Sequence, residues 1–330
     1  MPQQTSINVS VNEKTKHFIF ILLNSFSLIA FASAIEPLRL ANRMAGRQVY
    51  KWTVCTSELN NQVICSNGTL VNANSLLPEV SKDDSVIICG GTNIKESTSN
   101  TILSWLRREA RKGIEIGGLC TAAYVIAKAG LLDERKCTIH WENREAFLEE
   151  FPNLDLVNRV FTIDKNRLCA AGGTAATDLM LSLISNDHGP DLSNLVADQL
   201  IYSSIRTDRD EQRLSIPTRI GVRNQKLANV IEKMETNLEE PISPSALALQ
   251  AGMSTRQLER LFRRYLSRSP KKYYMELRLQ KARSLLLQTN MSVINVALAC
   301  GFASPSHFSK CYRSHFLTTP YRERGSKGFQ

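Results

Sequence analysis

Gly117-Gly118-Leu119-Cys120-Thr121-Ala122-Ala123 decides the fold of the first two thirds of this chain. A β-branched strand signal at 114–116 runs into it, and an Ala-rich helical stretch stopped by Gly130 runs out of it. Strand, tight glycine turn and helix, in that order, is the unit from which parallel sheets with helical crossovers are built. The unit recurs on the N-terminal side, where the apolar run 86–89, led by Asp83 and Asp84 and closed by Gly90 and Gly91, predicts a buried parallel strand followed by a helix through Trp105. Further back lie a strand over 18–23, a helix over 28–41 and a strand over 52–56. On the C-terminal side, 161–163 and 168–170 flank the turn signal Asp164-Lys165-Asn166, which predicts a hairpin before a helix starting near Thr174. The alternation predicts an open, doubly wound α/β domain, whose ligands settle outside the carboxyl ends of the strands, here after Leu23, Cys89, Gly117 and Ala171. Cys120 sits on one of those turns and admits two readings. A thiol facing a helix N-terminus has its pKa lowered and becomes a nucleophile; a small residue there also simply packs beneath the helix.

Charge separates this body from the rest of the chain. Of 41 basic and 31 acidic side chains in 330 residues, 1–220 holds 23 and 24, whereas 221–330 holds 18 and 7, a net +11. A basic tail on a near-neutral body points to a polyanionic partner, most often nucleic acid. The eight cysteines show no C-x-x-C or Cys/His ligand spacing, so no metal or other cofactor is expected and reduced thiols in a cytoplasmic protein are the economical reading. Residues 1–15 are polar, include Glu13 and lack the layout of a signal peptide. The uncharged stretch 17–35 is interrupted by Asn24, Ser25, Ser27 and Ser33, and reads as strand, turn and buried helix rather than as a membrane span.

The tail contains an internal repeat. Leu247-Ala248-Leu249-Gln250-Ala251-Gly252-Met253-Ser254 aligns with Val296-Ala297-Leu298-Ala299-Cys300-Gly301-Phe302-Ala303, and after a one-residue insertion Leu258 pairs with Phe308, Phe262 with Tyr312 and Pro270 with Pro320. A helix, a short Gly-containing turn and a second helix is the helix-turn-helix, whose second helix enters the major groove. Two copies imply two groove contacts on double-stranded DNA. In the first, Thr255, Arg256, Gln257 and Arg260 fall on the outer face; in the second, Ser304, Ser306, His307 and Lys310 do. Arg and Gln read base edges bidentately, while Ser and Lys reach bases or phosphates. The helix around 274–287 is the expected rigid connector between the two units.

These segments resemble known families. The elbow, with Ala129-Gly130-Leu131-Leu132-Asp133, Cys137-Thr138-Ile139-His140-Trp141, Ala34-Ile35-Glu36-Pro37-Leu38-Arg39 and Ala171-Gly172-Gly173-Thr174, resembles the PfpI-like branch of the class I glutamine amidotransferases, which have a flavodoxin-like fold. The resemblance gathers Glu36, Cys120 and His140 around one pocket as a ligand-binding site. Hydrolytic members follow the elbow Cys with a catalytic His, and Thr121 stands there in this chain, so catalysis is not expected; a structural role for His140 stays open. The tail, through Gln257-Leu258-Glu259-Arg260-Leu261-Phe262-Arg263-Arg264, Leu277-Arg278-Leu279, Ser306-His307-Phe308-Ser309-Lys310 and Pro320-Tyr321-Arg322, resembles the AraC/XylS transcription regulators, apart from Leu317 where that family usually has Gly. The combination resembles the GlxA-like regulators. Glu36-Pro37-Leu38-Arg39-Leu40-Ala41-Asn42-Arg43 with Gly46-Arg47 and Tyr50-Lys51-Trp52 most resembles those that control glycine betaine, carnitine and arginine catabolism.

The resulting expectation is an α/β flavodoxin-like doubly wound domain followed by an all-α domain with two helix-turn-helix units. Its divisions are a flexible N-terminus (1–15), a ligand-sensing and dimerisation domain (16–205), a linker (206–222) and a DNA-binding domain (223–330). The implied protein is not an enzyme but a homodimeric activator that contacts RNA polymerase. Its implied effector is a quaternary ammonium compound held by Glu36, Trp141 and a further aromatic, Tyr124 or Trp105. The rivals are a cysteine-dependent amidase or deglycase at Cys120, and a redox sensor using the same thiol.

Overall fold

The computed structural model describes residues 14–58, 60–212, 216 and 224–325. The expected flexible N-terminus lies outside the described residues up to 13, as does most of 213–223. The chain divides into two compact units, Met1–Gln212 and Arg213–Gln330.

In the first unit the elements are β1 (Lys16–Leu22), α1 (Leu28–Ala45), β2 (Tyr50–Thr56), β3 (Gln62–Ile64), β4 (Leu70–Asn72), β5 (Ser75–Leu76), β6 (Asp84–Cys89), α2 (Asn100–Ala110), β7 (Glu115–Leu119) and α3 (Ala123–Lys128). There follow β8 (Lys136–Cys137), a 3-10 turn (Trp141–Asn143), α4 (Arg144–Glu150), β9 (Asp155–Leu156), β10 (Phe161–Asp164), β11 (Arg167–Ala170), α5 (Ala175–His188) and α6 (Pro190–Gln199). Seven strands form one sheet in the order β10-β11-β7-β6-β1-β2-β5, parallel throughout except for the β10–β11 hairpin.

Why β1 lies at the centre follows from its composition. Alternate residues of a strand face opposite sides, and both sides of this one are apolar. Phe18, Phe20 and Leu22 enter the core beneath α1 and α5, while Ile19, Ile21 and Leu23 enter the core with α2 and α3. Each such fully buried side chain contributes roughly 1.5–3 kcal/mol of transfer free energy. Strand order reverses between β1 and β6, and in open sheets of this kind the carboxyl ends at that reversal are where ligands settle.

The second unit contains α7 (Gln225–Thr236), α8 (Pro244–Gln250), α9 (Thr255–Leu266), α10 (Pro270–Gln288), α11 (Val293–Ala299), α12 (Pro305–Phe316) and α13 (Pro320–Gly325). It has two small cores that share α10. Tyr274 joins Leu247, Leu258 and Phe262 in the first, and Leu279, Ala282, Leu285 and Leu286 join Val296, Phe302, Phe308 and Tyr312 in the second. Among the described residues no helix is long and apolar enough to cross a membrane.

Candidate effector site and nucleic-acid interface

β7 ends at Leu119 and α3 begins at Ala123, so the chain reverses within three residues. Cys120 makes the turn at φ +62°, a left-handed conformation that costs a non-glycine residue roughly 1–2 kcal/mol. The Gly172 loop closes in on it, since a Cβ at Gly172 would stand 3.1 Å from Cys120 Sγ; beside the turn, the Gly91 loop is packed on the 25–27 backbone, where a Cβ would stand 2.1 Å from the Ser25 carbonyl oxygen. The Cys120 N–H donates to the Ala170 carbonyl at 2.9 Å, and its own carbonyl accepts from the His140 N–H at 3.2 Å. The His140 and Trp141 rings lie 5.6 Å apart, and His140 Nδ1 is 3.9 Å from Glu142 Oε2.

The electrostatics differ from those of an activated thiol. Burial pushes the Cys120 thiol up to about 11, against the hydrogen bond from the Thr121 backbone, and the nearby Glu142 carboxylate adds to the rise. The lowering that a helix N-terminus would give is thus outweighed by burial, even though Cys120 keeps partial exposure. Burial also lowers the His140 pKa. Thr121 is buried, and its hydroxyl donates to the Gly91 carbonyl at 2.7 Å, away from any proton-transfer role toward the thiol.

Of the residues expected here, Cys120, His140 and Trp141 come together, with the Trp141 side chain 43% exposed. Glu36 stands on α1 and its carboxylate is taken by Arg39, one turn on, at 2.6 and 2.8 Å. An acid that reaches the cluster is Glu142, which the pattern of the sequence offered only through its place two residues after His140. Neither further aromatic is available to a ligand. Trp105 is buried and donates Nε1–H to the Pro78 carbonyl at 2.7 Å. The Tyr124 ring carries Lys95 and Lys128 ammonium groups at 5.5 and 5.3 Å, and its hydroxyl donates to Glu150. A separate cleft of about 460 Å³, lined by Asp178, Ser182, Asn186, Asn194, Arg206 and Asp208, includes none of the elbow residues.

In the second unit the repeat is visible in detail. Ser254 caps α9 by accepting from the Gln257 N–H at 3.2 Å, and Ser304 caps α12 by accepting from the His307 N–H at 3.3 Å. The preceding turns place Gly252 at φ +63° and Gly301 at φ +73°. The two reading helices also end alike, with Ser267 and Leu317 left-handed at φ +54° and +60°, donating N–H to Arg263 and Arg313. Leu258, Phe262, Phe308 and Tyr312 are buried, while Thr255, Arg256, Arg260, Ser304, Ser306, His307 and Lys310 are exposed on one side of their helices. Lys310 joins Arg313, Ser309, Ser314 and Thr319 around a shallow surface depression.

Gln257 is exposed but committed: its Oε1 accepts from the Ser254 N–H at 2.8 Å, completing a capping box. Bidentate adenine reading needs that oxygen, so Gln257 brings only its amide N–H groups to a base. His307 likewise has Nε2 3.4 Å from Cys311 Sγ. Arg278, part of the basic excess, turns inward: Nε donates to the Cys300 carbonyl at 2.7 Å, Nη2 to the Gly301 carbonyl at 2.5 Å, and the guanidinium lies 4.1 Å from the Phe302 ring centroid.

Comparison with known proteins places both units. Residues 16–186 match the DJ-1/PfpI family, and residues 247–325 match a helix-turn-helix domain family. The chain is similar to the HTH-type transcriptional regulator GbdR of Pseudomonas aeruginosa, at 43% identity covering 95% of this chain and 85% of that protein. It is also similar to the HTH-type transcriptional regulator GlxA of Rhizobium meliloti, at 38% identity over 94% of this chain and 95% of that one. Among solved structures, an AraC family transcriptional regulator from Pseudomonas putida matches with a TM-score of 0.50 and 29% identity, over 56% of this chain and 99% of that one. With a DJ-1/PfpI unit in front of a duplicated helix-turn-helix, and transcriptional regulators matched over nearly the whole chain, the chain belongs to the AraC-type transcriptional regulators that carry a DJ-1/PfpI domain.

Proposed function

We propose that this regulator is a cytoplasmic, homodimeric activator of a catabolic operon, switched by a small quaternary ammonium metabolite such as glycine betaine or carnitine. The observation that carries the DNA-reading half is the pair of reading helices with the same serine cap, the same left-handed glycine turn and an outward basic face. Arg256 and Arg260 in the first unit and Ser306 and Lys310 in the second meet base edges and phosphates, with Thr255, Gln257, Ser304 and His307 beside them. The connector α10 has 19 residues, a length of about 28 Å. That falls short of the roughly 34 Å between successive major grooves, so the DNA bends to meet both helices.

The sensing half rests on the elbow crevice. Trp141 offers an aromatic face, Glu142 a carboxylate, and Cys120 and His140 the neutral floor, a combination that suits a methylated ammonium cation. Glu36 joins the site by exchanging Arg39 for the ligand. Effector binding favours one arrangement of the two DNA-binding tails over the other, and RNA polymerase is recruited in that arrangement; the ligand must bind one arrangement better for this to work. A non-catalytic role is supported by a thiol pushed up to about 11 and by Thr121 turned toward Gly91 in place of a base. The same raised thiol disfavours the redox reading, since oxidation proceeds through thiolate.

The test is calorimetric titration of the full chain with glycine betaine, dimethylglycine, carnitine, choline and arginine. Saturable binding of one, lost in Trp141→Ala, supports the sensor and names its ligand. Absence of binding by all five, from folded protein, removes the ligand assignment. Amide hydrolysis or dicarbonyl consumption that disappears in Cys120→Ala would restore the enzyme.

A further inference from the structure

The segment that leaves the α/β unit toward the DNA-binding unit was expected from its run Thr207-Asp208-Arg209-Asp210-Glu211 to begin a solvated linker. Its side chains do face water, but residues 206–212 are hydrogen-bonded onto the α/β unit at both ends. At the first end, the Arg206 N–H and Nε donate to the two oxygens of Asp178 at 2.8 and 2.9 Å, and Nη2 donates to Thr174 Oγ1 at 2.8 Å. The Asp178 side chain is fully buried, so this end is a fixed anchor. In the middle, the Asp210 carbonyl accepts from the Val160 N–H at 2.9 Å, and the Arg209 carbonyl accepts from the Arg159 guanidinium. At the far end, Gln212 Nε2 donates to Thr138 Oγ1 at 2.9 Å and to the Ile139 carbonyl at 2.8 Å.

Both anchoring points adjoin the elbow. Thr174 follows the Gly172 loop that packs on Cys120 Sγ. More directly, the Ile139 carbonyl and the His140 N–H belong to one peptide group. Its N–H donates to the Cys120 carbonyl, and its oxygen holds Gln212. One rigid plane therefore connects the elbow residue to the last residue of the strap, and a tilt that lengthens one hydrogen bond disturbs the other. Gln212 is the releasable end: its bonds are between neutral groups, and its Oε1 is buried with no partner among the described residues.

We propose that residues 206–212 form a regulatory strap, fixed at Arg206 and latched at Gln212, through which occupancy of the elbow crevice is passed to the chain entering the DNA-binding unit. This rests on the proposed effector role of the Cys120–His140–Trp141 crevice. A ligand seated against His140 and Trp141 shifts the 139–140 peptide, Gln212 loses its acceptor geometry, and the strap changes its hold on the unit.

The experiment compares the full-length chain with Gln212→Ala and with Gln212→Glu, which keeps the size but cannot donate. The duplex is one selected by the wild-type protein from a random pool. Glycine betaine and carnitine are the probes, with hydrogen exchange read at single amides. We expect both variants to bind the probes at least as tightly as the wild type, because the latch no longer has to be broken, while the probe-dependent change in duplex affinity falls below about twofold, as expected when the coupling is lost. Exchange at the His140 amide should accelerate about fivefold, the equivalent of one net hydrogen bond, with the Ala171 amide unchanged as control. A retained probe response, or unaltered His140 exchange in both variants, overturns the strap. If the wild-type chain binds neither probe, the effector assignment fails by itself, and the His140 exchange still decides whether the latch exists.

Discussion

Replacing Arg278 by alanine tests the view that a conspicuous cation in the DNA-binding unit is a structural clamp. Two hydrogen bonds from a charged donor reach the Cys300 and Gly301 carbonyls at 2.7 and 2.5 Å, where α11 ends and the turn to the second reading helix begins. Both lie past the last residue of α11, so losing the guanidinium removes a charged donor from each. Charged hydrogen bonds contribute about 1.5–3 kcal/mol each, and the stacking on Phe302 adds about 1 kcal/mol. With partial rehydration of the turn, we expect a net loss of about 3 kcal/mol confined to the second helix-turn-helix. That is about a 150-fold rise in its local opening. Hydrogen exchange should therefore accelerate across α11 and α12 and much less across α8 and α9, whose core is separate. Specific DNA affinity should fall without a change in its salt dependence, because no phosphate contact is removed. Arg278→Lys should recover little, since an ammonium cannot reproduce the guanidinium fork over two carbonyls. Unchanged exchange in α11 and α12, combined with a salt slope smaller by about one, would make Arg278 a phosphate contact and refute the clamp.

Arg256→Ala and Arg260→Ala, both exposed in the N-terminal half of the first reading helix, should each weaken specific binding by about 1–3 kcal/mol and relax selectivity at one base pair, as scored on a library of single-base operator variants; a loss uniform over all sequences would reassign them to phosphates. Leu317 holds a left-handed cap at φ +60° with its side chain 90% exposed, so Leu317→Gly should stabilise the second unit by about 1 kcal/mol in urea unfolding. The Cys120 thiol should be alkylated about 100-fold more slowly at pH 8 than an ordinary thiol and accelerate with pH toward about 11, since the reactive thiolate is what burial suppresses. Rapid labelling of Cys120 in the folded chain at pH 7, followed by mass spectrometry, would contradict that ordering.

The parts of this fold that were legible from the chain are those in which local pattern and tertiary environment agree. β1 could be read because five consecutive apolar residues are buried on both faces of the sheet, and the duplicated helix-turn-helix because its caps, glycine turns and apolar stripe repeat together. The two- and three-residue strands β3, β4, β5, β8 and β9 are too short to carry a period. The Ser-x-x-Gln spacing at Ser254 was itself a capping-box signal, so the commitment of Gln257 Oε1 could have been read from sequence. By contrast, the direction of the Cys120 shift is set by burial and then by Glu142, which no window around residue 120 contains. The hold on 206–212 is hidden for a related reason: its charged side chains do look outward, and what binds it are backbone groups and the two end residues.

The elbow keeps an expensive backbone around a thiol that burial holds in its protonated form. Cys120 stays at φ +62°, the Gly172 and Gly91 loops leave no room for a Cβ, and Thr121 spends its hydroxyl on the Gly91 carbonyl rather than on the thiol. Strain of this kind persists where surrounding structure over-determines it, and it clusters where geometry is used. What the geometry secures here is convergence. The ends of β7 and β11, the Gly172 loop and the 139–140 peptide meet at one residue, and two of those contacts lead to the strap that exits toward the DNA-binding unit. An elbow in this arrangement therefore has a property suited to regulation: a small displacement at Cys120 is shared with the Ala170 strand end and with the 139–140 peptide.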